Sequence, residues 1–228
     1  MARNLKALLA AALALTALGA IVSSAHAADE FHCSVNPCRG TLATDGTGKA
    51  AHHVWIMENE ATTESVSFTC ESLRGDLEFT GGAATNVRLT GVSVDNCTVN
   101  GSAGVVVDIN GCEYIAAGIG GRTDAGEVSV VCPTGKKEEI TYNGCVVSIT
   151  GGFSSKGIGY TTSGTTPNRE ITVTVNHAVI PASNISFSGT KAQCLFNPAQ
   201  NVIATYTTGN TLITGETTAG AMADAWYE

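Results

Sequence analysis

The sequence predicts an all-β protein, with an antiparallel β-sandwich-like architecture of one or two lobes stapled by disulfide bonds. Three observations support this fold class. Short segments alternate apolar and polar residues, as strands with one buried face do. Turn-forming pairs such as Asn-Gly separate these segments at close intervals. The chain carries eight cysteines, an even number, and begins like an exported protein.

The beginning of the chain has the pattern of an export signal. Arg3 and Lys6 precede an apolar run, and Ala25-His26-Ala27 supplies the small residues of a cleavage site. We therefore expect residues 1–27 to be a signal peptide and residues 28–228 to be the mature, secreted all-β region. No later apolar run is long enough for a membrane helix, so we expect no membrane span after signal removal. The net charge of −8 argues against a nucleic-acid partner, because phosphate binding needs positive charge.

Alternation of apolar and polar residues predicts the strands of the mature region. In 64–70, for example, Val66, Phe68 and Cys70 share one face. Val, Ile, Thr and Tyr are frequent in such segments and suit a pleated, half-buried surface. The Gly-rich stretch 117–126 either separates two β lobes or forms a long loop within one domain. The predicted strands are residues 64–70, 86–90, 92–94, 127–132, 139–142, 146–149, 169–175, 184–187 and 202–206.

Glycine-containing pairs predict where the chain turns between strands. Asn-Gly allows positive φ at both central positions of a two-residue hairpin turn. We interpret Asp95-Asn96-Cys97 as a further turn that precedes a cysteine, and residues 219–227 as the best helix candidate. The predicted turn pairs are Asp45-Gly46, Gly81-Gly82, Asn100-Gly101, Asn110-Gly111, Asn143-Gly144, Gly151-Gly152 and Gly209-Asn210.

The cysteines are expected to form disulfides, because an exported chain meets an oxidising compartment. A zinc site is the alternative, but zinc ligands usually include cysteine pairs about two to four residues apart, and only one pair approaches that spacing. The absence of a C-x-x-C motif disfavours thioredoxin-like redox chemistry. Eight cysteines allow many pairings, among which sequence locality favours Cys33–Cys38, Cys70–Cys97, Cys112–Cys132 and Cys145–Cys194.

Histidines supply the weak candidate site, which consists of His52, His53 and His177. Adjacent strand residues point to opposite faces, so His52 and His53 do not readily share one metal ion. With His32 they form a metal site only if the fold brings them together. As a catalytic base, His52 or His53 needs a serine and an acid nearby. The alternative interpretation is partly exposed histidines of strands or loops, and we expect no bound metal, no cofactor and no catalytic residue.

Two further sequence patterns are associated with catalysis or sugar binding. Ser188-Gly189-Thr190-Lys191 matches the S-x-x-K motif of acyl enzymes, but Gly189 in a β context argues against the helix that this motif requires. Exposed aromatic residues are able to stack on sugars, whereas most aromatic residues of β proteins belong to the core. The aromatic residues concerned are Trp55, Trp226, Tyr114, Tyr142, Tyr160 and Tyr206.

A set of short motifs, spread over nearly the whole mature region, resembles a family of exported, cysteine-bearing, β-rich bacterial proteins with no assigned activity. The resemblance implies export and the fold class, and it implies no catalytic residue. It also presents Cys33 and Cys38 as an optional addition, which favours their pairing with each other. The motifs are Phe31-His32-Cys33, Gly46-Thr47-Gly48-Lys49, His52-His53-Val54, Asn110-Gly111-Cys112-Glu113-Tyr114, Val131-Cys132-Pro133-Thr134-Gly135-Lys136, Pro167-Asn168-Arg169-Glu170-Ile171-Thr172-Val173, Thr208-Gly209-Asn210-Thr211 and Gly215-Glu216-Thr217.

The expected function is a non-enzymatic binding or structural role outside the cell or at its surface, with cell-wall material or a glycan as partner. Loops on a rigid β scaffold commonly carry such recognition. A secreted hydrolase is one alternative, and it requires His52, His53 or His177 in a cleft beside a serine and an acid. A small-ligand carrier is the other alternative. A closed barrel with an interior void favours the carrier, and two packed sheets with a filled core disfavour it.

Overall fold

The computed structural model describes residues 29–44, 53–62, 64–79, 83–119, 122–197 and 201–228. Regular structure in these ranges is almost entirely strand, numbered β1 to β18 along the chain, so the all-β prediction is confirmed. No helix in the described ranges is long and apolar enough to cross a membrane. The predicted signal peptide 1–27, His52 and the predicted turns at Asp45-Gly46 and Gly81-Gly82 lie outside the described residues.

The main sheet closes into an eight-stranded antiparallel barrel, and the predicted sandwich is therefore wrong. The long strands β4 (Ser65–Phe79) and β6 (Asn86–Val99) pair along most of their length, and this ladder closes the sheet on itself. Alternation indicates one buried face per strand, which a barrel and a sandwich share, so the pattern could not choose between them. The other barrel strands are β2 (Cys38–Thr44), β3 (His53–Asn59), β9 (Glu113–Ile119), β10 (Arg122–Val131), β13 (Phe153–Ser163), β14 (Glu170–Ile180) and β16 (Val202–Thr217).

Two shorter strands share one position in the barrel. β3 pairs with residues 65–70 of β4 and with residues 202–208 of β16. β2 pairs with the later parts of the same two strands, residues 74–79 and 211–217. β2 and β3 therefore lie end to end between β4 and β16, and residues 45–52, which connect them, are outside the described part of the chain.

Two smaller sheets pack at opposite ends of the barrel. The plug sheet, as it is termed here, packs around Leu77 and Phe79 near the end of β4, and the cover sheet packs around Val66 and Phe68 near its beginning. A strand rises about 3.3 Å per residue, so Phe68 and Leu77 lie about 30 Å apart along β4. The plug sheet contains β1 (Phe31–Cys33), β5 (Ala83–Ala84) and β18 (Ala225–Tyr227), and the cover sheet contains β8 (Val106–Asp108), β11 (Glu138–Tyr142), β12 (Cys145–Ile149) and β15 (Ile185–Ser188).

Strands β14 and β16 both carry irregularities of the strand pairing, and these lie side by side in the barrel wall. On β16 the inward-facing residues change from even to odd numbers between Thr208 and Thr211. On the neighbouring β14 the register shifts between Val175 and Ala178, and Val175 pairs with Thr208. Such bulges bend and twist strands, which helps a sheet to close. The predicted turn at Gly209-Asn210 is wrong, because this pair lies within β16.

All eight cysteines form the four disulfides that sequence locality favoured, namely Cys33–Cys38, Cys70–Cys97, Cys112–Cys132 and Cys145–Cys194. The first joins the plug sheet to β2, and the second joins directly opposed residues of β4 and β6. The third closes the β9–β10 hairpin, and the fourth joins β12 of the cover sheet to helix α1 (Lys191–Cys194). Four disulfides indicate an oxidising compartment.

The Asn-Gly turn predictions are confirmed. Asn100-Gly101, Asn110-Gly111 and Asn143-Gly144 have positive φ at both positions. Asn96 also has a positive φ of 55°, but it lies inside β6 and forms no turn there. Residues 117–119 belong to β9 and residues 122–126 to β10, and these strands pair with each other in the main sheet.

The remaining elements are short. Residues 219–227, the best helix candidate in a mature region without a convincing helical pattern, contain β17 (Met222–Ala223) and β18 instead. Helix α1 was not predicted, although Thr190 and Gln193 form a capping box at its start, which is a recognisable sequence pattern. The predicted strand segments all fall in observed strands, within one residue at their ends. A 3₁₀ turn (Ala182–Asn184) and β7 (Ser102–Ala103) complete the described elements.

Candidate ligand-binding cavity

A cavity of about 150 Å³ lies inside the barrel, between the plug and cover sheets. Inward-facing side chains of the barrel strands form its wall, and most of them are aliphatic. An engineered protein cavity of about this size, lined by Leu, Ile and Phe, holds benzene. The space is therefore suited to a compact ring compound. Aliphatic residues of the wall include Leu73, Leu77, Leu89, Val128, Val173 and Ile213.

Glu138 brings a carboxyl group to this apolar space. Among the described residues that line the cavity, it is the only one with an acidic or basic side chain. It begins β11 of the cover sheet, where Glu138, Ile140 and Tyr142 are buried and Glu139 lies on the other face. The Tyr114 hydroxyl donates a hydrogen bond to Oε1 of Glu138 at 2.6 Å.

Local structure on both sides fixes this pair of side chains. Tyr114 lies on β9, two residues after Cys112. The Cys112–Cys132 disulfide ties the start of β9 to the end of β10. The Asn110 side-chain amide donates to the carbonyl oxygen of Lys137, directly before Glu138, at 2.9 Å. The turn at Asn110 thus holds the start of β11 beside the start of β9.

Burial governs the protonation of the pair. Loss of solvation raises the pKa of Glu138 to about 7, while the hydrogen bond from Tyr114 acts in the opposite direction. Burial and the negative charge of Glu138 together raise the pKa of Tyr114 well above its ordinary value. Near neutral pH, Glu138 is therefore divided between its protonated and ionised forms, while Tyr114 stays protonated and remains a hydrogen-bond donor.

A second polar group lies in the wall formed by β3 and β16. The Nδ1 atom of His53 is 2.6 Å from the hydroxyl oxygen of Tyr206, and His53 is fully buried. The rings of Trp55 and Tyr206, which line the cavity, have centroids 4.8 Å apart. Burial raises the pKa of Tyr206 above its ordinary value, so the phenol remains protonated.

The plug end of the cavity is aromatic. Tyr160 packs against Phe31 and Tyr227, with ring centroids 4.9 and 5.2 Å apart. The Tyr160 hydroxyl is buried and has no hydrogen-bond partner among the described residues. Gly126 makes room for this ring, because a Cβ atom there would lie 2.0 Å from Cε2 of Tyr160.

The predicted candidate histidines do not form one cluster. His53 lies on β3 and is buried, whereas His177 is exposed on β14 with its Nδ1 atom 2.5 Å from Oδ1 of Asn176. β16 separates these two strands in the sheet. In the described ranges, no group of three or more His, Cys, Asp and Glu residues could hold a metal ion.

The aromatic residues also divide between interior and surface. Trp55, Tyr114, Tyr160 and Tyr206 line the cavity rather than an exposed platform. Trp226, on β18, is packed by the ring of His32, whose centroid is 5.0 Å away, and by the guanidinium of Arg169, 3.8 Å from the ring centroid.

Sequence reasoning missed Glu138. The alternation of residues could have revealed it. Glu138 lies two residues before Ile140 and four before Tyr142, so it shares the strand face that the apolar residues mark as buried. An acid on such a face needs a compensating group or a special role.

No protein-family model, curated protein or solved structure matches this chain. Of the resemblance drawn from its motifs, the β-rich, disulfide-bonded fold is what the structure supports. Function is therefore inferred from the geometry of the cavity.

Proposed function

We propose that the protein is a carrier that binds one small, predominantly apolar molecule inside the barrel. The observation that supports this function is the aliphatic cavity between the plug and cover sheets. The interior of an eight-stranded barrel either fills with side chains or holds one small ligand. Ligand sites typically combine an apolar wall with a few polar groups that set orientation, as Glu138 and Tyr206 do here.

Titration with toluene tests this proposal. The chain has two tryptophans, and a Trp226→Phe variant leaves Trp55, in the cavity wall, as the sole tryptophan, which can be excited selectively over tyrosine. Toluene that enters the cavity should change the emission of Trp55 in a saturable manner. It should also raise the melting temperature of the wild-type protein with increasing concentration, because binding to the folded state stabilises it.

A matched pair of variants locates the binding. Ala178 is buried and lines the cavity, whereas its neighbour Val179 is exposed. Ala178→Leu should fill part of the space and abolish toluene binding, and Val179→Leu should bind as the wild type does. The carrier proposal fails if toluene neither shifts the wild-type melting temperature nor alters the Trp55 emission. It also fails if a folded Ala178→Leu protein binds toluene unchanged.

We also propose that the carrier works outside the cell. Four disulfides suit an oxidising compartment, and residues 1–27 have the composition of an export signal. The resemblance to exported bacterial proteins supports the same location. Protein recovered from the medium should begin at Ala28 on N-terminal sequencing, and a chain retained in the cytoplasm with Met1 intact would contradict export.

The alternatives draw less support from the geometry. A glycan platform needs an exposed aromatic face, but Trp55 lines the cavity and Trp226 is packed by His32 and Arg169. A hydrolase needs a histidine beside a serine and an acid, and Nδ1 of His53 lies 2.6 Å from the hydroxyl oxygen of Tyr206.

A further inference from the structure

We propose that the ligand of this cavity is a small protonated amine on an apolar ring, and that its ammonium group pairs with the carboxylate of Glu138. This inference rests on the proposed carrier function and adds the chemical class of the ligand.

The described lining of the cavity includes an acidic side chain and no basic one. Glu138 is only 8% exposed, and no lysine, arginine or histidine is among the described residues of the lining. The nearest basic neighbour in sequence, Lys137, instead contacts Glu139 and Ser148. A carboxylate buried without a cation is destabilised, and an ammonium ion that enters the same space supplies the missing charge.

The polar groups around Glu138 are suited to an ammonium donor. Tyr114 donates to Oε1, which leaves Oε2 to accept from the ligand. Tyr114 and Tyr206 both line the cavity that Glu138 enters. Phenol oxygens have two lone pairs and accept further hydrogen bonds, and the ring faces of Trp55 and Tyr206 attract cations.

The size and wall of the cavity specify the rest of the ligand. A volume of about 150 Å³ admits a single six-membered ring and one short substituent. The aliphatic wall around Leu77, Val173 and Ile213 gives the ring apolar contacts. Long alkyl amines and peptides are too large for this space.

Titration of Glu138 adds a pH signature. The Tyr114 hydroxyl of β9 donates to the Glu138 carboxyl, Tyr206 of β16 lines the same cavity with His53 at its hydroxyl, and Lys137 and Glu139 form an ion pair with each other. Both phenols remain protonated because burial raises their pKa values, and Glu138 becomes a carboxylate as the pH rises through about 7. Alkyl amines stay protonated to about pH 10. Amine binding should therefore strengthen between pH 5.5 and about pH 8.

The experiment compares benzylamine with benzyl alcohol, which carry the same ring, by calorimetric titration of the full mature chain at about pH 8. Benzylamine should bind the wild type at least about tenfold more tightly than it binds Glu138→Gln, as expected for a buried charged hydrogen bond. Benzyl alcohol should distinguish the two proteins by less than about threefold. Glu139→Gln is the matched control, because the adjacent acid faces away, and it should bind benzylamine as the wild type does.

The outcomes separate this inference from the carrier function. Equal or tighter binding of benzyl alcohol by the wild type overturns the amine inference and leaves the carrier standing. Binding of neither compound, nor of toluene, overturns both. A wild-type benzylamine affinity that stays flat from pH 5.5 to about pH 8 also overturns the amine inference. This pH series uses only the wild-type protein, so it tests the inference even if Glu138→Gln does not fold.

Discussion

The two ends of the barrel are closed by different chemistry. At the plug end, Phe31, Tyr160 and Tyr227 pack ring against ring. At the cover end, β11 places the Glu138 carboxyl in the lumen, with Tyr114 as its hydrogen-bond donor. Aromatic packing stabilises a fold without regard to pH, whereas a buried acid makes one end depend on pH and on the charge of any molecule beside it.

This difference indicates that the plug sheet serves stability and that the cover sheet carries the functional group. The plug sheet consists of strands of only two or three residues, so it owes its place to buried side chains and to the Cys33–Cys38 disulfide. The cover sheet is larger, and the buried acid at the start of its central strand β11 is unfavourable for stability alone. Sites where a fold tolerates such a group are expected to be functional ones. Three measurements test this difference between the plug end and the cover end.

Removing one disulfide at each end should give the largest effect. Cys145 and Cys194 are 49 residues apart, and Cys33 and Cys38 are five apart. In the chain-entropy model, replacing the first pair by alanine lowers the free energy of unfolding by about 4 kcal/mol, and replacing the second by about 2 kcal/mol. Urea unfolding of both double variants measures the difference. Equal losses would show that the ends do not differ in this way.

A pH-dependent loss of stability should follow at the cover end. The pKa of Glu138 is raised from 4.5 to about 7 in the folded protein, so the unfolded chain loses this proton first as the pH rises. The stabilisation is complete below about pH 4.5 and is lost as the pH rises through 7, which amounts to about 3 kcal/mol. The measurement is the free energy of unfolding at pH 4.5 and at about pH 8 for wild type and Glu138→Gln.

The variant isolates this carboxyl from all other titrating groups. Glu138→Gln keeps an oxygen that can accept the Tyr114 hydrogen bond. The difference in unfolding free energy between wild type and variant should change by about 3 kcal/mol across this range. A difference that is independent of pH would mean that Glu138 titrates as an exposed acid does, and the contrast between the ends would be lost.

A smaller effect is expected from crowding the plug end. Gly126→Ala would place Cβ against the Tyr160 ring and 2.9 Å from the carbonyl oxygen of Ala117, which cannot move without disturbing the β9–β10 ladder. We expect a loss of about 2 kcal/mol in unfolding free energy, with little dependence on pH. Glu127→Ala, the next residue on the same strand, should stay within about 0.5 kcal/mol of the wild type. A neutral Gly126→Ala would show that the plug is loosely packed.

Some of this architecture could be predicted from residues that act locally. The Asn-Gly pairs determined their own turns, and each cysteine paired with a neighbour in the series, because both depend on short stretches of chain. Barrel closure could not be predicted in this way. It depends on which strand pairs with β4 and on bulges such as that between Val175 and Ala178, and periodicity contains neither.

The candidate site was predicted only in part. For Tyr114 and Tyr206 the sequence left a core position and an exposed sugar-stacking position open, because alternation does not say which face encloses a lumen. Glu138 was missed because the charge of a residue usually places it outside. Its position became meaningful only when β11 was found to lie across the end of the barrel.

Because β2 and β3 lie end to end, the length of the segment that connects them does not set the register of either strand. Thr44 of β2 pairs with Thr211, and His53 of β3 pairs with Thr208. The register of each of these two strands is therefore set by its own pairing with β16. Residues added or deleted between positions 44 and 53 leave both alignments intact. The chain therefore has a natural place in the barrel wall for a guest epitope or a backbone cut, where two fragments would still recognise each other through β4 and β16.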